Sequence, residues 1–432
     1  MIQTVKKFIG QHKMLKKRIK VLVGLSGGAD SVSLLLVLHE LGYNTHALHC
    51  NFRLRGEESD RDEQFVTELC QRLGIPLSVK HFDTRKYARL RHISIEMAAR
   101  ELRYKYFEEM RAELHSQAIA VAHQKEDQAE TLLLNIIRGT GIRGLTGMHP
   151  VNNHIVRPLL CVSRQEILSY LEAKGQNYVI DSTNKEHDAL RNRIRLELIP
   201  MLQREFNPGI VNTLVRQCEN MQDGLYAYRT GVNQLFKKHD VYETCLRITR
   251  NQDNPALPVM LHEWLHGKGF TRSQEKQMLA STGESGRQWL SATHVVTHDL
   301  GTLVLLPRDY VPETPVLKQE SVEKIGRRTP DFAYFDADAF TYPLTVRLVQ
   351  NGDRMIPFGE RKPRAVRKIL KKLSLSKLSR KYAWVVCHGK EIIWIVGVRA
   401  SNLYRVTPHT TNIVKLSVSD QGLPDRLMVC TD

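Results

Sequence analysis

Residues 21–31 read VLVGLSGGADS, and this stretch predicts the fold around it. Its first apolar run has the length and β-branched content of a buried strand, and the run from Ser31 to Leu41 has helical length. A strand, a glycine turn and a helix in this order direct backbone N–H groups and a helix N-terminus at an anion. Gly27 and Gly28 permit close approach because they carry no Cβ atom. The turn is therefore either a phosphate-binding loop or an ordinary tight turn.

The loop sequence SGGADS contains neither a Walker A pattern nor a G-x-G-x-x-G fingerprint. It resembles the pyrophosphate loop of the N-type ATP pyrophosphatases, which cleave ATP between the α and β phosphates and pass AMP to an acceptor. The resemblance implies ATP as cofactor. The implied cofactor-binding residues are Ser26, Gly27, Gly28, Ala29, Asp30 and Ser31. Asp30 fits a phosphate site only with a bridging divalent cation, which makes it the candidate Mg²⁺ ligand.

The composition limits the partners and the compartment. The 432 residues contain 63 Lys and Arg against 46 Asp and Glu, and the net charge of +17 favours a polyanionic partner, although a merely basic soluble protein is an alternative. The seven cysteines never form C-x-x-C, which predicts a reducing compartment without disulfides or a cysteine-based metal site. No apolar run reaches transmembrane length, so we expect a cytoplasmic protein with no membrane partner.

Strand and helix patterns alternate through the first half of the chain. This alternation predicts an α/β domain with a doubly wound parallel sheet and right-handed crossovers, which Arg157–Leu160 is expected to rejoin. We expect three domains: a catalytic domain over 1–205, a mainly helical middle domain with some strand over 206–329, and a small α+β domain over 330–432. The last includes a segment, 361–381, with ten Lys or Arg and no acidic residue. It is either a solvated helix face or a phosphate-backbone contact.

Two pairs of charged residues are spaced to share a helix face. Arg100 and Arg103 are either surface charges or ligands of phosphoryl oxygens. Asp127 and Glu130 either cap a helix N-terminus or accept protons from an attacking amine. The sequence leaves both choices open.

His49 and His123 follow two of the predicted strands. Neither has a partner histidine or cysteine at metal-ligand spacing. A structural or substrate-contacting imidazole is therefore preferred over a zinc ligand.

The motifs taken in order identify a narrower family. The first half is similar to the catalytic domain of bacterial tRNA(Ile)-lysidine synthases through SGGADS (26–31), HCNFRLRG (49–56), AARELRY (98–104), AHQKEDQAET (122–131), RGTGIRGL (138–145), RPLL (157–160) and DSTN…RNRIR (181–195). The C-terminal part resembles the same family through NGDRMIPFG (351–359), the basic segment and WIVGVR (394–399).

The family resemblance implies an activity. Such enzymes are ligases that form a C–N bond between free L-lysine and C2 of the wobble cytidine in the CAU anticodon of tRNA(Ile). They use ATP and Mg²⁺, pass through an adenylated cytidine, release AMP and pyrophosphate, and change codon reading from AUG to AUA. The sequence leaves open whether the enzyme is a monomer or a homodimer.

The same resemblance implies roles for particular residues. The catalytic residues would be Asp30, His123, Asp127 and Glu130. The substrate- and tRNA-binding residues would be His49, Arg55, Arg100, Arg103, Arg193, Asp353, Arg354, Lys368, Lys371 and Lys372.

The sequence departs from the family pattern at Phe52, Arg53, Gln124 and Glu126, and we assign no catalytic role to positions 52, 124 and 126. A tRNA thiolase of the same superfamily would use C-x-x-C pairs, which are missing. An NAD or GMP synthetase has no use for a basic C-terminal domain. A non-enzymatic tRNA-binding protein would have no need of an intact SGGADS loop.

Overall fold

The computed structural model describes residues 1–180, 189–239, 241–248, 253–281, 285–326, 329, 332–341, 343–373 and 377–419. The chain forms two compact units, Met1–Tyr228 and Arg229–Asp432. The DSTN motif at 181–184 lies outside the described residues. The three-domain boundaries remain a prediction.

The first unit is built on one sheet with helices on both faces. Its strands are β1 (Val21–Gly24), β2 (Thr45–Asn51), β3 (Leu77–His81), β4 (Ala118–Ala120), β5 (Val151–Asn152) and β6 (Ile155–Val156). Its helices are α1 (Ile2–Gln11), α2 (Ala29–Glu40), α3 (Glu57–Leu73), α4 (Thr84–Arg91), α5 (Ile95–Glu113), α6 (Lys125–Ile137), α7 (Ile142–Leu145), α8 (Arg164–Ala173), α9 (Ala189–Arg193), α10 (Ile199–Glu205) and α11 (Ile210–Lys238), the last of which continues into the second unit.

The strand order is β3-β2-β1-β4-β6-β5, and all neighbours are parallel except β5 with β6. Side chains of β1 alternate between two apolar clusters: Val21 and Val23 pack with α2, whereas Leu22 packs with Phe107 of α5. The doubly wound parallel sheet predicted from the sequence is thereby confirmed. The prediction that Arg157–Leu160 rejoins the sheet is wrong: Ile155–Val156 forms the strand, and Pro158–Cys161 forms a 3₁₀ turn.

The topology positions the site. Because β1, β2, β4 and β6 run parallel, their carboxyl ends lie on one edge of the sheet. Ser26, His49, His123 and Arg157 occupy or follow these ends, so residues far apart in sequence meet there.

The second unit consists of antiparallel sheets and short helices. A middle part holds β7 (Cys245–Arg247), α12 (Leu257–Trp264), α13 (Arg272–Ala280), β8 (Gln288–Leu290), β9 (His294–Asp299) and β10 (Thr302–Pro307), with the strands in the order β7-β10-β9-β8. The following strands are β11 (Leu317–Val322), β12 (Phe332–Asp336), β13 (Thr345–Leu348), β14 (Arg354–Met355), β15 (Arg364–Ala365), β16 (Trp384–His388), β17 (Glu391–Ile395), β18 (Arg399–Ala400) and β19 (Ile413–Val418). The basic segment forms α14 (Val366–Lys372) and α15 (Lys377–Lys381).

Among the described helices, none combines the length and the apolar composition needed to cross a membrane.

Candidate active site at the carboxyl edge of the parallel sheet

The loop between β1 and α2 is closed by its own hydroxyl groups. Ser31 Oγ accepts from the Ser26 N–H at 3.2 Å and donates to the Gly28 carbonyl at 3.0 Å. Gly27 has φ +92°, and a Cβ there would lie 3.2 Å from a methyl group of Val179. Gly28 is the N-cap of α2 and has no side chain that could cap the helix. The N-terminal amides of α2 are thus left without a side-chain cap, and anion binding by them remains a prediction.

Asp30, in the first turn of α2, contacts one arginine. Its two carboxylate oxygens lie 3.2 and 3.1 Å from Arg164 Nη1, at the start of α8. Burial raises the pKa of Asp30 to about 6; Arg164 acts against this shift, and the carboxylates of Asp127 and Glu126 add to it. The contact with Arg164 therefore does not fully offset the cost of burying the Asp30 carboxylate.

The incompletely compensated carboxylate of Asp30 is suited to binding a divalent cation. Carboxylate oxygen is the ligand type that Mg²⁺ prefers, and Mg²⁺ commonly takes only one or two carboxylates besides phosphate and water. Within the part of the chain that the structure describes, no group of three or more His, Cys, Asp or Glu is arranged around a metal position. Asp30 would therefore hold Mg²⁺ together with oxygens supplied by ATP and water.

His49 is buried at the end of β2. Its Nδ1 lies 2.8 Å from the Leu25 carbonyl, which can only accept, so Nδ1 carries the proton and Nε2 is an acceptor. Burial is the main cause that lowers the pKa of His49. The imidazole is neutral and locked in one tautomer.

A cleft of about 330 Å³ opens beside His49. Its lining includes Ser26, His49, Asn51, Phe52, Arg55, Arg100 and Arg103. Arg55 is held by Asp62 at 2.8 Å. The Arg103 guanidinium lies over the Phe52 ring at 5.4 Å, and Arg100 lies over Tyr104 at 5.0 Å. The described ion pairs include no carboxylate bound to Arg100 or Arg103, which favours the phosphate-binding alternative for both residues.

His123 follows β4 and meets Arg157, which follows β6. Arg157 Nε donates to His123 Nδ1 at 3.2 Å. A guanidinium can only donate, so Nε2 of His123 carries the proton. Burial lowers the pKa of His123 to about 3, helped by Arg157, Arg191, Arg100 and Arg103. The residue is a neutral N–H donor in a positively charged environment.

Asp127 and Glu130 lie in the first two turns of α6 and differ in environment. Asp127 Oδ2 accepts from the Gln124 N–H as part of a capping box, which confirms the cap interpretation for Asp127. Its Oδ1 lies 3.4 Å from Arg191 and 3.3 Å from Arg195. The Glu130 side chain is 0% exposed, against 14% for Asp127. Asp127 is therefore the more accessible carboxylate.

Glu130 is enclosed by two arginines. Arg191 Nε donates to Glu130 Oε2 at 2.9 Å, and Arg195 donates to Oε1 from Nε at 2.5 Å and to Oε2 from Nη2 at 3.0 Å. Both arginines come from the motif RNRIR, in which only Arg193 was assigned a role. The Arg193 side chain is 69% exposed and pairs with Glu197 instead.

The helix around Arg195 is irregular. Residues Ile194–Leu198 form a π-helical turn between α9 and α10, followed by Pro200. Proline has no N–H group, so a regular helix could not continue through it without losing a hydrogen bond. The spacing of four between Arg191 and Arg195 could have revealed that these two share a face and that Arg193 does not. No local sequence pattern indicates that Arg164 contacts Asp30, because 134 residues separate them.

The remaining assigned residues lie in the second unit. Asp353 pairs with Arg347 through contacts of 2.8 and 3.0 Å and accepts from the Gln350 N–H, which folds the turn before β14. Arg354 donates to the Pro363 carbonyl. Lys368, Lys371 and Lys372 are exposed on α14, whose apolar side is buried. Lys371 also lines a basic cleft with Val349, Arg367, Lys377, Arg380 and Lys381.

Comparison with known protein families covers both units. Residues 1–202 match the model of a PP-loop domain, residues 239–308 that of a TilS substrate binding domain, and residues 344–417 that of a TilS substrate C-terminal domain.

The chain is also similar to whole proteins named tRNA(Ile)-lysidine synthase. The protein of Parabacteroides distasonis is 41% identical over 96% of this chain and 99% of its own length. That of Bacteroides thetaiotaomicron is 42% identical over 95% and 98%. Among solved structures, a U34-tRNA thiolase from Methanococcus maripaludis is 21% identical with a TM-score of 0.44, over 51% of this chain and 78% of that one. By its similarity to the two full-length relatives, the chain belongs to the tRNA(Ile)-lysidine synthase family of tRNA-modifying ligases.

Proposed function

We propose that this protein joins the ε-amine of free lysine to C2 of the wobble cytidine in the CAU anticodon of tRNA(Ile), at the expense of ATP. The observation that carries the proposal is the meeting, at one sheet edge, of the glycine loop Ser26–Ser31 with the partly exposed carboxylate of Asp127. The loop suits the phosphates of ATP and the carboxylate suits a cationic amine. Membership of the family supports the same reaction.

In the first step, cytidine O2 attacks the α-phosphate of ATP, and the bond to the β-phosphate breaks. The N-terminal amides of α2 and the hydroxyl of Ser26 would bind the departing pyrophosphate. When bound at Asp30, Mg²⁺ would neutralise phosphate charge. The adenylated cytidine would remain in the cleft beside His49, where Arg100 and Arg103 contribute positive charge.

In the second step, the lysine amine attacks C2 and AMP departs. The amine enters as an ammonium group and must lose a proton before it attacks. Both carboxylates contact Arg191 and Arg195, and Asp127 is the candidate acceptor because its side chain is 14% exposed whereas that of Glu130 is 0% exposed. Glu130 would then support the site by positioning these arginines rather than by touching lysine. The product would pair with A instead of G, and codon reading would change from AUG to AUA.

The exposed lysines of α14 would bind the phosphate backbone of the tRNA body. Residues Lys368, Lys371 and Lys372 project from one short helix whose opposite side is anchored by buried Val366 and Leu370. A row of cations on a fixed support suits a polyanion and carries no base specificity.

The direct test is an assay with unmodified CAU-anticodon tRNA(Ile), ATP, Mg²⁺ and labelled lysine. We expect label in the tRNA and equal amounts of AMP and pyrophosphate. Asp30→Asn should abolish AMP formation and leave tRNA binding intact. Absence of label under conditions in which tRNA binds would refute the proposal. Incorporation of labelled sulfur instead would identify a thiolase.

A further inference from the structure

Arg157 is a buried cation whose described partners are all uncharged. The residue is 7% exposed. Its Nε group donates to His123 Nδ1 at 3.2 Å, and Nη1 donates to the His149 carbonyl at 2.8 Å. Across the described ranges, no ion pair joins Arg157 to a carboxylate. This distinguishes it from Arg191 and Arg195, which share Glu130.

An unpaired buried charge is unfavourable for the isolated protein. Removing a guanidinium from water costs free energy that two neutral acceptors do not fully return. Burial accordingly lowers the pKa of Arg157, and the positive charge of Arg100 acts in the same direction. Such a group at the carboxyl edge of the sheet is a candidate for a functional site, and an anionic ligand would supply the negative charge that its described partners lack.

The contact with Arg157 also determines what His123 can do. Because Nδ1 accepts from a guanidinium, the imidazole must present its Nε2–H as a donor. The guanidinium groups of Arg100, Arg103 and Arg191 also act on the imidazole. A neutral donor surrounded by cations suits an anionic oxygen and does not suit an ammonium group.

The topology places this pair beside the phosphate loop. His123 and Arg157 follow β4 and β6, which are neighbours in the sheet. The other neighbour of β4 is β1, which leads into Ser26. An anion held by His123 would therefore lie near the loop between β1 and α2.

We propose that His123 binds the phosphoryl group of the adenylyl moiety through its Nε2–H, with Arg157 supplying nearby positive charge and holding His123 in this tautomer. The proposal rests on the proposed function for the identity of the nucleotide. Arg157 is a positioning residue in this scheme, because it acts on the ligand through His123 and through its field. His123 becomes a donor to the leaving AMP rather than the base that takes the proton of lysine.

The test compares AMP with adenosine by isothermal titration calorimetry on the full chain, without tRNA or lysine. Arg157→Met should weaken AMP binding at least tenfold and leave adenosine binding unchanged, because the charge acts only on the phosphate. The matched control is Arg111→Met, which removes an arginine paired with Glu108 away from the sheet edge; both affinities should stay at the wild-type value. Equal losses for AMP and adenosine, or no loss for either, would overturn the proposal.

Nitrogen-15 NMR of the histidine rings gives a second readout that a merely structural role would not change. His123→Asn identifies the resonances of His123. We expect a pure Nε2–H tautomer in the wild type and a mixture in Arg157→Met. An unchanged tautomer would overturn the positioning role.

If Arg157→Met does not fold, the same binding comparison is made with Arg157→Lys. It keeps the charge but cannot reach both acceptors, so the ratio of AMP to adenosine affinity should fall while adenosine binding persists. An unchanged ratio would overturn the proposal. Because neither tRNA nor lysine is present, a failure to form lysidine in the activity assay remains a separate result.

Discussion

Replacement of Glu130 by glutamine tests whether this carboxylate serves the structure or the substrate. The carboxylate is fully buried and accepts three N–H bonds, from Arg191 Nε and from Arg195 Nε and Nη2. Glu130→Gln preserves the shape and one acceptor oxygen but removes the negative charge. Among the described ion pairs, Arg191 and Arg195 then keep only their contacts with Asp127.

The expected cost follows from this geometry. Removing one partner of a buried ion pair costs about 3–5 kcal/mol. The partly exposed arginines can recover some hydration, so we expect a value near the lower end, about 3 kcal/mol. For a unit of this size each kcal/mol lowers Tm by about 2–4 °C, so the first unit should melt roughly 6–12 °C lower.

Differential scanning calorimetry of the full chain measures this change, with lysine KM measured in parallel below the new Tm. The control is Glu109→Gln, which removes an exposed pair with Lys105 at 4.0 Å and should cost under about 0.5 kcal/mol. A wild-type Tm for Glu130→Gln together with a large rise in lysine KM would refute the reasoning, because it would mean that Glu130 contacts lysine. A double-mutant cycle with Arg195→Gln should show a coupling of about 1–3 kcal/mol.

Three other perturbations test separate parts of the molecule. In the folded protein the pKa of His123 is about 3, against an ordinary value of 6.5, so its contribution to stability is present above pH 6.5 and is lost as the pH falls towards 3. Urea unfolding at several pH values should show that His123→Asn loses less stability than the wild type between pH 6.5 and 3. Parallel plots of stability against pH for the two proteins would contradict the assignment. Asp353→Asn should lower the free energy of unfolding of the second unit by about 1.5–3 kcal/mol, measured by urea unfolding, because Arg347 loses charge-assisted hydrogen bonds. Weaker tRNA binding without a loss of stability would instead identify Asp353 as a tRNA contact. Replacing Lys368, Lys371 and Lys372 by alanine should reduce the slope of the logarithm of the tRNA-binding constant against the logarithm of the KCl concentration, by about 0.9 for each phosphate that is no longer neutralised. Fluorescence anisotropy of labelled tRNA measures this slope. An unchanged slope would exclude α14 from the tRNA interface.

Local sequence is sufficient to specify the structure of the loop between β1 and α2. The hexapeptide at 26–31 specifies its loop because two glycines and two hydroxyls satisfy the turn from within a few residues. The alternation of strand and helix patterns specified the parallel sheet, and the alternating residues on either side of Asp299–Gly301 form the hairpin of β9 and β10. These features depend on neighbours in the chain, so a linear pattern records them.

The pairing of the charged residues, by contrast, depends on long-range packing. Asp30 meets Arg164 across 134 residues, Glu130 meets Arg195 across 65, and His123 meets Arg157 across 34. No local pattern encodes these pairs, because they depend on which strand ends lie side by side at the sheet edge. The pairing separates two carboxylates that looked equivalent in sequence: Asp127 is left partly exposed, and Glu130 is enclosed by arginines. The same long-range packing leaves Arg157 buried among neutral partners, since β4 and β6 bring it to His123 rather than to a carboxylate.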